Sequence, residues 1–418
     1  MGDFNKKLAL VLSGGGARGA YEAGVIHYIR TKLKPEISRK RNFDIVCGSS
    51  VGAINTCFVA ATSHDLDYQG KKAYELWKNM KQEYVYQRGM IGLTKLAGRT
   101  VAGVLGNFFS KTENDGKKRK YHFVGFLDPS PLPSFLKEVI PWKQIALNIQ
   151  HGLTKAISLT ATNIHTGRME LFIDKHPSLI YSGRHRAHFV NIEVAHAMAS
   201  AAIPILFPTV CIGKDHYCDG GVRSNTPISP AIHLGTDKAL VIGLHQNTFS
   251  APDVPGMVTR YDTPPTMGEI IGNVLKIIFL DRLDYDVAQL QRINEVIYWG
   301  KKVYGDDFLD RMNQQMTAQG GTRDIAARGL KQIEIFNIYP SRDIRSIFAE
   351  CVTRTQYLKK QLSVFEKTLL KILDVDLSNG LDFLTFILFV PEFLQQLLEL
   401  GFEDARSSHA ELERFFLE

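Results

Sequence analysis

A serine set between two glycines, Gly48-Ser49-Ser50-Val51-Gly52, is the first place where residue type and spacing could do chemistry. A G-x-S-x-G turn can present a serine hydroxyl at a strand-to-helix corner, and the helix that follows aims N–H groups at a developing oxyanion. Ser50 has that spacing; Ser49 is a rival nucleophile whose next glycine lies three residues on. The same pentapeptide also occurs as an ordinary glycine turn, so it needs partners. Gly14-Gly15-Gly16-Ala17-Arg18-Gly19 supplies bare backbone N–H groups and a guanidinium, the materials of an oxyanion hole. Asp219-Gly220-Gly221 supplies a carboxylate beside two glycines that let the backbone come close, although Asp-Gly is also a common turn signal.

Histidine decides the type of relay. His233, His245 and His409 follow Asp219, while His185, His188 and His196 precede it, and none sits in a motif. A Ser-His-Asp relay therefore has no evident imidazole, and the expected arrangement is a dyad of Ser50 and Asp219. The first loop, Gly14-x-Gly16-x-x-Gly19, also matches the dinucleotide fingerprint. That fingerprint wants an acidic residue at the end of the second strand. Here that strand ends in the serine turn, with Glu36 before it and Asp44 at its start. A nucleotide-binding oxidoreductase stays open as the weaker alternative.

The elements that must position these residues follow from hydrophobic pattern. Leu8 to Leu12 is a continuous apolar run, as in a strand buried on both faces. A helix is predicted from about Ala20 to Lys34, stopped by Pro35, and a second strand from Phe43 to Cys47. Strand, helix, strand makes a βαβ unit and points to an α/β fold with a parallel sheet. Helices are expected to Ala61, from Asp67 to Lys81, over 131–150, and from Asn191 to Ala202. Strands are expected at Ala156 to Asn163, Arg168 to Ile173, Thr209 to Ile212, His216 to Cys218 and Ala239 to Leu244, with a helix from Ile228 to Leu234. Sites in open parallel sheets form outside the carboxyl ends of strands, so the three glycine motifs should converge there. Beyond a loop at Asp253 to Pro265, a long helix is predicted from Gly268 to Lys302 and a strand from Ile333 to Tyr339. Helices then continue to the end, broken at Gly380 and Gly401.

Composition bounds the function. The 418 residues are 44% hydrophobic and 22% charged, as in a globular chain with ample core. A net charge of +7 and a pI near 9.0 favour an anionic partner, either a phospholipid surface or nucleic acid. Residues 82–130 are glycine-rich, carry Phe108 and Phe109 and the basic run Lys117-Lys118-Arg119-Lys120, and read as an insertion or lid. It would either touch lipid or stay a solvated loop. Five cysteines (Cys47, Cys57, Cys211, Cys218 and Cys351) without a C-x-x-C pair argue against a disulfide framework or zinc site and for a reducing compartment. The apolar run at Leu8 is too short for a signal peptide. The stretch from Leu381 to Leu398 is interrupted by Asp382, Pro391 and Glu392. A cytoplasmic protein peripheral to the membrane is expected.

Together, Ser13-Gly14-Gly15-Gly16-Ala17-Arg18-Gly19, Gly48-Ser49-Ser50-Val51-Gly52 and Asp219-Gly220-Gly221 resemble the patatin-like phospholipases of bacterial type. Ala199-Ser200-Ala201-Ala202-Ile203-Pro204-x-x-Phe207-Pro208 and Asn225-x-Pro227 are similar to that family too. The resemblance implies a three-layer α/β/α core with a mostly parallel sheet. It implies a catalytic domain at 7–245 with the insertion at 82–130, a linker at 246–267, and a mainly helical C-terminal region at 268–418. It implies Ser50 as nucleophile, Asp219 as base and Gly14 to Gly19 as oxyanion loop, with Gly48, Gly52, Gly220 and Gly221 shaping the turns. The implied reaction is hydrolysis of glycerolipid esters with no metal and no cofactor. The expected partners are a phospholipid or lysophospholipid substrate and an anionic membrane surface, not nucleic acid. A homo-oligomer through the C-terminal helices is left open. A neutral-lipid esterase and an inactive lipid-binding scaffold are the alternatives.

Overall fold

Leu8, Leu10 and Leu12 enter one apolar cluster while Ala9 and Val11 enter another, so the first strand is buried on both faces. The structure, a computed structural model, is described over residues 6–87, 125–246, 283–319, 330–372 and 381–418, with isolated positions 270 and 274. The strands are β1 (Leu8–Leu12), β2 (Ile45–Ser49), β3 (Ala156–Asn163), β4 (Met169–Lys175), β5 (Arg186–Phe189), β6 (Val210–Ile212), β7 (Asp215–Asp219), β8 (Lys238–Ile242) and β9 (Glu334–Ile338). They form one sheet ordered β5-β4-β3-β2-β1-β8-β9, with β7 on β3 and β6 on β7. β3, β2, β1, β8 and β9 run parallel, and the β3–β4, β3–β7 and β6–β7 pairs are antiparallel.

Helices cover both faces. Counting those of six residues or more, they are α1 (Ala20–Lys32), α2 (Val51–Ala61), α3 (Leu66–Lys78), α4 (Pro131–Val139), α5 (Trp142–Gln150), α6 (Val194–Ser200) and α7 (Ile228–His233). The C-terminal region adds α8 (Leu283–Tyr304), α9 (Phe308–Ala318), α10 (Ile344–Thr355), α11 (Val364–Ile372), α12 (Leu381–Ile387), α13 (Pro391–Ser407) and α14 (His409–Leu417). Residues of α1, α2 and α12 to α14 fill the larger apolar cluster on one face, and α7 and α8 close the other, giving three layers.

Register explains why two distant motifs meet. β2 pairs with β3 up to Ser49↔Thr160, and β7 takes over the same edge of β3 from Asp219↔Ala161 onward. The carboxyl end of β7 therefore arrives directly beyond the carboxyl end of β2. Ser50 leaves one strand where Asp219 ends the other.

Several sequence expectations change in detail. Gly401 does not break a helix. It lies inside α13, where its missing side chain lets α13 pack on the Tyr21 carbonyl of α1; any Cβ would overlap that oxygen. The helix expected from Asn191 shortens to α6 because Glu193 caps it, its side chain and that of His196 forming a reciprocal capping box. The predicted strand at 333–339 is β9, so the C-terminal region contributes to the same sheet. Among the described residues no single helix is long and apolar enough to cross a membrane. The pair α12 and α13 bends by 90° at the break between them, and Phe383, Leu384, Phe393, Leu394 and Leu397 are buried in the core. Cys211 and Cys218, on neighbouring strands, are free thiols. Residues 88–124, with Phe108, Phe109 and the basic run, lie outside the described residues, as do 247–269 and Gly380.

Candidate active site

Ser50 sits at the corner between β2 and α2 with φ 54° and ψ −126°, a left-handed backbone that a non-glycine residue adopts at a cost. The neighbours that hold the corner are identifiable. Gly48 and Gly52 lie against each other across it, and the Ser50 N–H donates to Ser200 Oγ at 3.1 Å. Ser200 Oγ in turn donates to the Thr160 carbonyl of β3 at 2.6 Å. Ser50 Oγ donates to Asp219 Oδ2 at 2.6 Å. The rival Ser49 is fully buried at the end of β2, and among the described residues its hydroxyl has no carboxylate partner.

Asp219 is fully buried at the end of β7, where Gly220 and Gly221 begin a tight turn. Its Oδ1 accepts the Gly221 N–H at 2.7 Å, which orients the carboxylate and leaves Oδ2 for the serine. Burial raises its pKa from the usual 3.8 to about 7, against the downward pull of the Ser50 and Gly221 hydrogen bonds. A carboxylate poised near neutrality suits a general base. No imidazole is needed to explain the Ser50 contact. His188 pairs with Glu170 at 2.6 Å, His196 caps its own helix, and His409 meets Tyr28 at 2.9 Å.

The glycine loop lies beside the serine. A Cβ on Gly14 would stand 2.9 Å from Ser50 Cβ. Asn225 fastens the loop at this end: its carbonyl accepts the Gly14 N–H at 3.0 Å and its Nδ2 donates to the Gly14 carbonyl at 3.1 Å. The N–H of Arg18 bonds Gly15 O at 3.2 Å, at the start of the tight turn that Gly16 to Gly19 form. Gly15 and Gly16 are the candidate oxyanion donors. The guanidinium of Arg18, expected to add positive charge near the serine, is ion-paired to Asp382 at 3.2 Å.

Sequence reasoning missed a support behind this loop. Glu22 of α1 is fully buried; its Oε1 accepts the Ser13 N–H at 2.8 Å and its Oε2 accepts Asn55 Nδ2 at 2.7 Å. Asn55 Oδ1 accepts the Trp77 indole N–H at 3.0 Å. Glu22 therefore ties the start of the glycine loop to the elbow helix. Burial lifts its pKa from 4.5 to about 8 against those two hydrogen bonds. Nothing in residue type or spacing marks Glu22 for this role.

An apolar pocket, open at its mouth, begins at Ser50. Phe58 of α2, Leu76 and Trp77 of α3, Leu132 and Leu136 of α4 and Phe386 of α12 line it. Such a lining has the apolar chemistry that suits a hydrocarbon chain.

Proton inventory gives a first expected result. If Asp219 is the base, kcat/KM rises as pH passes upward through about 7 and then levels, falling about tenfold per pH unit below it. An unperturbed aspartate would place that limb near 4. Measuring the profile in Glu22→Gln as well as in the unaltered chain separates the Asp219 inflection from that of Glu22.

Fold and site together define a class of protein. Residues 10–232 match the model of the patatin-like phospholipases, and the chain belongs to that family. A curated relative, the "cGAMP-activated phospholipase" of Pseudomonas aeruginosa (strain BWHPSA011 / Pa011), is 28% identical over 251 residues. That match spans 60% of this chain and 59% of the relative. Among solved structures, VipD from Legionella pneumophila aligns over 94% of this chain and 67% of its own, at 12% identity and a TM-score of 0.30.

Proposed function

We propose that this chain is a serine acyl hydrolase that cleaves ester bonds of phospholipids or lysophospholipids. The observation that carries the reading is the 2.6 Å bond from Ser50 Oγ to Asp219 Oδ2 at the mouth of an apolar cavity. Ser50 Oγ attacks the ester carbonyl carbon while Asp219 takes its proton. The tetrahedral oxyanion faces the N–H groups of Gly15 and Gly16 and the positive end of α2. Its collapse expels the alcohol, which takes the proton from Asp219, and leaves the acyl chain on Ser50. A water deprotonated by Asp219 then attacks the acyl-enzyme and frees the fatty acid.

A lipid surface is the proposed place of action. The net charge of +7 supports attraction to anionic lipid. So does α8, which exposes Val296, Trp299 and Val303 on one stripe with Lys302 beside it. Aromatic and basic residues in this combination favour the interface between headgroups and acyl chains. The name of the Pseudomonas relative adds one proposed control, stimulation by cGAMP.

The deciding assay offers vesicles of phosphatidylglycerol, of phosphatidylcholine and of their lysolipids, alongside triacylglycerol emulsion, each with and without cGAMP. Free fatty acid is measured in every case. The reading expects release from phospholipid or lysophospholipid, faster on the anionic vesicles and slowed by salt. Release from triacylglycerol alone would favour a neutral-lipid esterase. No release under any condition, together with vesicle binding, would favour a lipid-binding scaffold.

A further inference from the structure

The glycine loop is held by the C-terminal helix α12 through contacts that the chemistry at Ser50 does not itself use. Arg18 is only 2% exposed. Its Nε and Nη2 donate to Thr385 Oγ1 at 3.0 and 2.7 Å, and Nη2 also donates to Asp382 Oδ1 at 3.2 Å. The Phe386 ring lies against the guanidinium, 4.5 Å from Cζ to the ring centre. Burial pushes the Arg18 pKa down and Asp382 pushes it back up, so the buried charge depends on its partners in α12. Asp382 is itself steadied by Arg345 of α10 at 3.7 Å, whose Nε bonds Asp343 at 3.1 Å.

The backbones touch as well. Gly16 has φ 58° and rests on the Phe386 carbonyl; a methyl group there would overlap that oxygen. Phe386, Ile387 and Phe389 then wall the cavity that starts at Ser50. One short segment of the C-terminal region thus clamps the loop and bounds the cavity.

We propose that Asp382 and Thr385 are positioning residues for the oxyanion loop. Through Arg18 they hold Gly15 and Gly16 where their N–H groups meet the charge that forms at Ser50. This rests on the reading of the chain as a serine acyl hydrolase with that loop as its oxyanion hole. The acyl chain is bound largely by α2, α3 and α4, whereas the oxyanion exists only in the transition state. A loosened loop should therefore lower kcat and leave KM nearly untouched.

The test uses the full chain with a short-chain p-nitrophenyl ester and a fluorophosphonate probe, and kcat is expressed per titrated active site. Thr385→Val and Asp382→Asn are each expected to lower kcat by about ten- to a hundredfold, the scale of a misplaced catalytic group. KM should stay within about twofold, and labelling of Ser50 should slow by the same factor as kcat. Thr385→Ser, which restores the hydroxyl, should recover most of kcat. A merely structural role would reduce the titrated fraction and the melting temperature but leave kcat per site unchanged, and that result overturns the proposal. If Asp382→Asn fails to fold, Thr385→Val decides alone, because it leaves the ion pair of Arg18 with Asp382 in place. Ser50→Ala run in parallel keeps the two readings apart. With Ser50→Ala inactive and Thr385→Val unimpaired, only the positioning role falls; with Ser50→Ala active, the hydrolase reading falls and takes the positioning role with it.

Discussion

Ser50→Ala is expected to lower ester hydrolysis by on the order of 10⁴-fold or more and to abolish fluorophosphonate labelling. The size follows from the geometry. Among the described residues Ser50 Oγ is the only hydroxyl shown on the Asp219 carboxylate, and the neighbouring Ser49 lies buried behind it at the end of β2. Ser49→Ala is therefore expected to keep its activity, which distinguishes the two candidates directly. Ser50→Ala should also leave a physical trace that does not depend on turnover. The Ser50 hydrogen bond holds the Asp219 pKa down against burial, so its removal moves that pKa above about 7. The decline in stability should still begin near the usual 3.8 but continue to a higher pH before it levels off. Measured activity of Ser50→Ala within tenfold of the unaltered chain would remove the serine from the mechanism.

The parts of this molecule that could be read from sequence are those encoded locally. The run from Leu8 to Leu12 is found at the same residues as β1, because a strand buried on both faces leaves an unbroken apolar pattern. The elbow and the Asp219 turn announced themselves through glycines whose spacing is set by backbone sterics within a few residues. Their meeting at 2.6 Å could only be expected, since it depends on β7 entering beside β3 just past the end of β2. The supports of the site were invisible for a different reason. Arg18 and Thr385 are 367 residues apart, and a hydrogen bond between them leaves no period and no local composition. Glu22 looks like an ordinary helix residue until α1 is packed under Ser13 and Asn55. Gly401 looked like a helix break because glycine is a poor helix former, and propensity lost to packing: α13 needs that glycine to approach α1.

Asp219→Asn is expected to cost about 10²- to 10⁴-fold in kcat, the worth of a general base, while making the folded chain more stable at alkaline pH. Both halves follow from the same two hydrogen bonds. Oδ1 must accept from the Gly221 N–H, so an amide at this position keeps its oxygen there and turns its NH₂ towards Ser50. The NH₂ then donates to Ser50 Oγ, the bond runs in the reverse direction, and the serine has nowhere to lose its proton. Stability moves the other way. The folded-state pKa of Asp219, about 7, lies above the usual 3.8, so between these values the folded chain holds a proton that the unfolded chain has released. Stability from this residue is complete below 3.8, declines as pH rises through that window, and is lowest above 7. The amide carries no charge to bury. Thermal unfolding should therefore place Asp219→Asn close to the unaltered chain at pH 4 and above it at pH 8, with a gap on the order of a few kcal/mol. An unaltered kcat would exclude Asp219 as the base. Equal loss of stability at both pH values would show that burial of its charge carries no such penalty.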